Sequence, residues 1–313
     1  MTFNRALRYD PTRTLTLRNR FAADVTKRFN ALKRDISISI VDRDCFGIQP
    51  DLIALAASAY RAFDFPRTQE KIAGFMAWLQ EQEDAGILEV SIRPGTLRGI
   101  EEAWTDTYIQ SAYAKGITRS RAELRKQGLQ IPDIDAVGGV RSLFNQPFHA
   151  DRLGVLYTRT FEDLKTVTQF MNGQIRRRIS DGLTTGLTRG IAEGKNPRVI
   201  ARELVKDVNN RVDKIGISRA RMIARTEIIR AHHEANIAEY ERAQDMFDVE
   251  VEIEIQAEWA TAGFNVCPIC LDLEAGGPYK LNEIRSMIPA HPNCRCVALP
   301  LVIEKEGAGR RAA

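Results

Sequence analysis

Near its C-terminal end the chain reads Cys267-Pro268-Ile269-Cys270 and, 20 residues later, His291-Pro292-Asn293-Cys294-Arg295-Cys296. That cluster takes four of the five cysteines and one of the four histidines. Thiolates are soft ligands and imidazole is a borderline one, a combination that suits zinc, which structural sites hold tetrahedrally. The CxxC pair sets two sulfurs on one tight turn, and the HxxCxC segment closes the site from a second element. Five donors compete for four positions, so two arrangements are open: four thiolates with His291 beside them, or three thiolates with His291 coordinated. A site this rich in thiolate leaves no place for a reactive water, so the expected role is structural.

The rest of the chain constrains less. Its start, Met1-Thr2-Phe3-Asn4-Arg5, lacks the apolar core of a secretory signal, and no apolar run approaches the roughly 18 to 20 residues that span a bilayer. The expected setting is a reducing cytoplasm, which favours metal ligation over disulfides. With 313 residues, 44% hydrophobic and 27% charged, the chain has room for two or three domains with real cores. A net charge of +4 does not by itself imply nucleic acid, but between Arg5 and Asp35 nine cations face only three acids. Arg18, Arg20, Lys27, Arg28, Lys33 and Arg34 in that stretch are candidates to contact DNA phosphates or an acidic partner; the alternative is a solvated helix face. Between the two ligand pairs, Lys280 and Arg285 are opposed by Asp272, Glu274 and Glu283, which is not a basic reading head.

Periodicity predicts a mainly α protein: a helical N-terminal body and a C-terminal α+β unit stapled by zinc. Leu15, Phe21, Val25, Phe29 and Leu32 place a helix over about Thr12 to Ile40. A second helix starts at a Thr68 cap, a third runs from about Leu97 to Gln127, and Gly128 to Gly139 is the best linker. Helix resumes over about Pro147 to Asn209, with Gly182, Gly186, Gly190 and Gly194 as a smooth face or as helix ends, and Asn196-Pro197 as a fresh start. Ile217, Ala220, Ala224, Ile228, Ala231, Ala235 and Ala238 form one narrow stripe of small residues, which predicts close helix packing. The period then changes to 2 in Val249, Val251, Ile253 and Ile255, a half-buried strand that Val297 to Val302 can pair with. The expected organisation is 1–140 (helical N-terminal region), 141–247 (helical), 248–303 (zinc unit) and a frayed tail over 304–313.

No dinucleotide fingerprint, phosphate loop, HExxH or GxSxG motif is present. Arg225 and Glu227 with His232 and His233 invite an enzymatic reading, but no nucleophile–base constellation accompanies them. Their expected role is buried polar contact between a helix and the zinc unit. Trp259 is expected as a core anchor between strand and zinc turn, and His149 as a loop or cap residue.

Ala224-Arg225-Thr226-Glu227, Trp259-Ala260-Thr261-Ala262-Gly263, the CPxC pair and the final Pro289-x-His291-Pro292-Asn293-Cys294-Arg295-Cys296 together resemble the phage Mu F-like head morphogenesis proteins, over about Arg198 to Leu301. The resemblance implies a minor head protein of a tailed phage or prophage. Its expected place is the virion, in the capsid interior or at the portal vertex, and its expected partners are portal protein, major capsid protein and double-stranded DNA. It implies neither a membrane nor a small-molecule substrate. Many members carry Asp and Arg just before the CxxC, where this chain has Phe264 and Asn265. Only a short tail follows Cys296, so no appended enzyme is expected. The rival reading is a metal-dependent nuclease or DNA-processing protein, which would need a general-base histidine and groups for a catalytic ion.

Overall fold

The computed structural model describes residues 10–49, 65–92, 101–186, 189–190, 193–247, 253–263 and 265–304. Arg5, Arg8, Val249, Val251, Phe264 and the tail beyond Glu304 lie outside the described residues. The elements are α1 (Leu15–Ser37), α2 (Phe65–Gly86), β1 (Val90–Ile92), β2 (Glu101–Ala103), α3 (Asp106–Lys126), α4 (Gly139–Phe144) and α5 (Pro147–Asp181). They continue with α6 (Pro197–Arg211), α7 (Ser218–Phe247), β3 (Ile253–Ala260), α8 (Pro268–Ala275), β4 (Tyr279–Lys280), α9 (Leu281–Ile284) and β5 (Val297–Glu304). The protein is mainly helical, with its three-stranded sheet near the C-terminus. No helix among the described residues is long and apolar enough to cross a membrane.

Contacts group the chain into two compact units that interleave along the sequence. One comprises Met1–Ala22, Thr105–Thr160 and Met222–Ala313; the other comprises Ala23–Trp104 and Phe161–Arg221. This grouping differs from four consecutive segments, because packing follows helix faces and not position along the chain.

In the second unit, Val25, Phe29, Leu32 and Ile36 of α1 are buried, as the helical period requires. Gly216 lets Phe29 and Met171 approach so closely that an added Cβ would lie 2.5 Å from the ring. Gly182 and Gly190 similarly admit Leu204 and Ile200, whereas Gly194 takes a positive φ of 69° past the helical run. The four-residue glycine spacing therefore serves two purposes. Asn196 caps α6 as expected, its Oδ1 accepting from Arg198 N at 2.9 Å with Pro197 in the first turn. Two expectations change here. Helix α2 begins at Phe65, ahead of Thr68, so Thr68 is a buried interior residue and not a cap. The helix expected from about Leu97 begins at Asp106, residues 97–100 lying outside the described residues; ahead of it β1 and β2 pair antiparallel, Val90 opposite Ala103, and Trp104 Nε1 donates to Ile87 O at 2.9 Å.

The first unit holds α3, α4, most of α7 and the sheet, in strand order β4-β3-β5 with both pairings antiparallel. Trp259 lies opposite Ala298, and Ala260 opposite Val297. The predicted stripe is buried throughout: Ile217, just ahead of α7, is 8% exposed and the six on α7 are 0%. Helix α3 comes close enough at Gly116 that a Cβ there would sit 2.5 Å from His232 O and 2.6 Å from Ala235 Cβ. The predicted linker is anchored instead of free, because Ile131 joins the hydrophobic core and Pro132 O accepts from Arg121 Nη1 at 3.3 Å.

His149 is likewise not a loop residue. It is buried on α5, with Nδ1 3.0 Å from Tyr113 Oη and Nε2 3.2 Å from Glu239 Oε1. Arg121 Nε donates to the other oxygen of Glu239 at 2.6 Å. Against the raising effect of burial, the close approach of His149 and the hydrogen bond from Arg121 hold the Glu239 carboxyl below its ordinary range. The network links α3, α5 and α7 inside the unit, and a buried pair of this kind is costly to break from one side.

Candidate metal centre

Each half of the Cys/His cluster is shaped by its local sequence. Cys267 is the N-cap of α8: its Sγ accepts from Cys270 N at 3.4 Å, and Pro268 fills the first helical position. That backbone hydrogen bond lowers the Cys267 thiol's pKa. In the other half, His291-Pro292-Asn293-Cys294 forms a tight turn closed by Cys294 N donating to His291 O at 3.1 Å. Proline suits the second position of such a turn, and Asn293 adopts the positive φ of 62° that its third position requires.

The two halves meet. His291 Nε2 lies 3.2 Å from both Cys267 Sγ and Cys270 Sγ, and Cys270 Sγ lies 4.0 Å from Cys294 Sγ. Two donor triads result, Cys267–Cys270–His291 and Cys270–Cys294–Cys296, with Cys270 common to both. A zinc–sulfur bond of about 2.3 Å places tetrahedral donors roughly 3.5 to 4 Å apart; the 4.0 Å separation of Cys270 and Cys294 falls in that range, and the two His291 contacts are shorter. His291 Nδ1 lies 2.9 Å from Pro292 O. A proton there leaves Nε2 as the lone-pair donor facing the sulfurs, the arrangement usual for a metal-bound histidine. Hydrogen bonding from Cys296 holds the Cys294 thiol down at about 5 and the Cys296 thiol correspondingly high, while burial raises Cys270 to about 12.

The remaining candidates take distinct places. Thr226 is the joint between α7 and the turn: its Oγ1 accepts from Asn293 N at 3.2 Å and donates to Met222 O at 2.8 Å. Buried Glu227 pairs with Arg230 at 3.2 Å and Arg159 at 3.6 Å. Arg225 is half-buried. Trp259 is in the core with Cys270, Cys294 and Cys296. Asn265, at one of the positions that depart from the family pattern, accepts through its carbonyl from Arg295 Nη2 at 3.2 Å.

The basic candidates divide along α1. Arg20, Lys27 and Arg34 are exposed. Arg18 is 5% exposed and donates to Asp10 Oδ1 at 2.8 Å, so it is not a surface cation. Arg28 bonds Gly86 O and, at 2.7 Å, Glu89, and lies 4.2 Å over the Trp104 ring. Lys33 pairs with Asp213 at 2.7 Å.

His233, named from the sequence, and other residues that it did not single out also hold the unit in place. His233 is buried, its Nε2 3.0 Å from Ile284 O and 3.2 Å from Arg285 O, and burial lowers its pKa to about 4. The neutral ring thus donates to the end of α9. Arg285 reaches Glu241 and Glu234, which Arg152 also contacts at 3.3 and 3.5 Å. Thr261 N and Oγ1 both donate to Glu274, tying the strand exit to α8. Beside the centre lies a cleft of about 420 Å³ lined by Trp259, Thr261, Val266, Leu271 and Glu274, with none of the metal candidates in its wall.

Residues 181–299 match the family model described as Phage Mu protein F like protein. That match contains all five metal candidates and the Arg225-Thr226-Glu227 segment. No curated protein and no solved structure matches the chain.

Proposed function

Because residues 181–299 match the phage Mu F-like family model, we propose that this chain is a minor head protein of a tailed phage or prophage, acting in head morphogenesis. The carrying observation is the family match ending on a two-sided Cys/His cluster. In this reading the protein resides in the virion, in the capsid interior or at the portal vertex, and docks on portal or major capsid protein. Exposed Arg20, Lys27 and Arg34 are the residues of α1 best placed for DNA. Quantitative mass spectrometry of purified proheads and mature particles tests it. A few copies per particle, in constant ratio to portal protein, support the reading; absence from both kinds of particle ends it.

The proposed cofactor is structural zinc, held by Cys267, Cys270, His291 and Cys294, with Cys296 hydrogen-bonded beside them. The mutual approach of His291, Cys267 and Cys270 and the 4.0 Å spacing of Cys270 to Cys294 support that set. Bound there, the ion would cross-link α8 to the His291–Cys294 turn.

We assign the chain no enzymatic activity. His149, His232 and His233 are buried, and His291 is engaged with thiols, which leaves none of the four histidines placed as a general base. Magnesium-dependent DNA cleavage that disappears in a folded His291→Ala variant would reverse this assignment in favour of the nuclease.

A further inference from the structure

Within the second unit, the C-terminal part of α5 and the α6 helix enclose a cleft whose wall is mostly cationic. Arg178 of α5 faces Asp207, Asn210 and Arg211 of α6, and Lys214 just after it, around a cavity of about 320 Å³. The helical run continues past Arg211 through Ile217, so Asp207, Asn210, Arg211 and Lys214 share one face of it. Asp207 is the one acid in this wall, and Arg178 already engages it. Arg178 Nε donates to Asp207 Oδ2 at 3.0 Å, and Nη2 donates to the same oxygen. That pairing fixes the guanidinium plane and leaves Arg211 and Lys214 without a counter-charge. Both are exposed, and no acid among the described residues pairs with either.

A second cleft, of about 520 Å³, flanks α6 in the same unit and is lined by Lys33 and Arg34 of α1 and by Asn209. Asn209 Nδ2 donates to Ser37 Oγ at 3.2 Å, which joins α6 to α1 there. No acid lines this cleft. Lys33 is neutralised by Asp213 at 2.7 Å, whereas Arg34 is exposed and pairs with no acid among the described residues. Asn209 lines one cleft and Asn210 the other, so α6 alone stands between them. The excess is a property of this stretch: residues 174–214 carry ten cations against five acids, a local charge of +5. Like charges gathered in this way repel one another and attract an anion.

We propose that Arg178, Arg211 and Lys214, with Arg34 in the neighbouring cleft, form a phosphate-binding surface that takes the backbone of a nucleic acid. A guanidinium held by a carboxylate presents its remaining donors in a fixed plane that matches phosphate oxygens, and Lys214 adds a mobile point charge. Two cationic clefts on either side of one helix suit a repeating phosphate better than a single ion. Free phosphate shares the chemistry, and titration distinguishes the two sources. The site stands apart from the head-protein reading, whose test is the composition of particles, so either can fail without the other.

The test is titration of the full-length protein with a short DNA duplex over a range of salt concentrations and, separately, with inorganic phosphate at matched ionic strength. One variant combines Arg211→Gln with Lys214→Gln, both at exposed positions where the core is undisturbed. The control is Arg141→Gln, an exposed arginine of α4 that lines neither cleft. Duplex affinity lowered about tenfold or more in the double variant, with a salt dependence shallower by about two counterions, supports the surface with nucleic acid as ligand. Phosphate binding lost in that variant, with duplex binding unchanged, supports it with free phosphate as ligand. No binding of either by the unmodified protein, or a loss no greater per charge removed than Arg141→Gln causes, overturns it.

Discussion

Glu83 offers the sharpest energetic test. It lies on α2 at 0% exposure, where its Oε2 accepts from Asn172 Nδ2 at 2.8 Å. Its Oε1 and Asn172 Oδ1 are both buried acceptors without a partner, a conflict that a proton on the acid relieves. Burial is the dominant cause that raises this carboxyl from 4.5 to about 8. The folded state therefore keeps a proton between pH 4.5 and 8 that the unfolded chain has released. Stability contributed by the neutral acid is full below pH 4.5 and is lost as pH rises through about 8. At about 1.4 kcal/mol per pH unit, the loss reaches a ceiling of about 5 kcal/mol. Glu83→Gln replaces the acid with a neutral amide of the same shape and removes this linkage. Chemical denaturation of both proteins across pH 5 to 9 should give similar stabilities at pH 5 and a variant more stable by about 3 to 5 kcal/mol at pH 9. Parallel pH profiles would refute the reasoning.

Gly116→Ala should destabilise by about 1 to 3 kcal/mol, since the new methyl would meet His232 O and Ala235 Cβ at 2.5 and 2.6 Å; an unchanged melting temperature would show that α3 and α7 are not so close. Cys270→Ser, which removes the thiol common to both donor triads, should abolish zinc retention measured by mass spectrometry of the purified protein. Cys296→Ser should keep most of the metal, and the opposite ranking would reassign the ligands.

Much of the candidate site was legible because its signals are local. The grouping of the cysteines with His291 follows from their spacing, whereas the helix cap at Cys267 and the turn through Pro292 and Asn293 were not read from the residues, although both act within one turn. The stripe on α7 was equally plain, since a run of alanines at helical spacing requires a close neighbour. What escaped was set by contacts distant in sequence. Arg18 reads as a solvated cation until Asp10 and the flanking helices bury it, and nothing near His149 announces Glu239. The hairpin of β1 and β2 was missed for a different reason: its strands are three residues each, too short to carry a period. Nor could composition show two interleaved units, because one helix can supply residues to both.

The pairing of Ala260 with Val297 has a consequence for how metal loss would be felt. Residues 261–296 are, in topological terms, the loop of a long β-hairpin whose ends are already brought together by eight opposed residue pairs. Closing that loop costs little once the strands have paired. Zinc bound as proposed would then act as a tightening screw inside a closed frame and not as the hinge on which the frame depends. Stripping it should loosen the loop before it disturbs the pairing of β3 with β5.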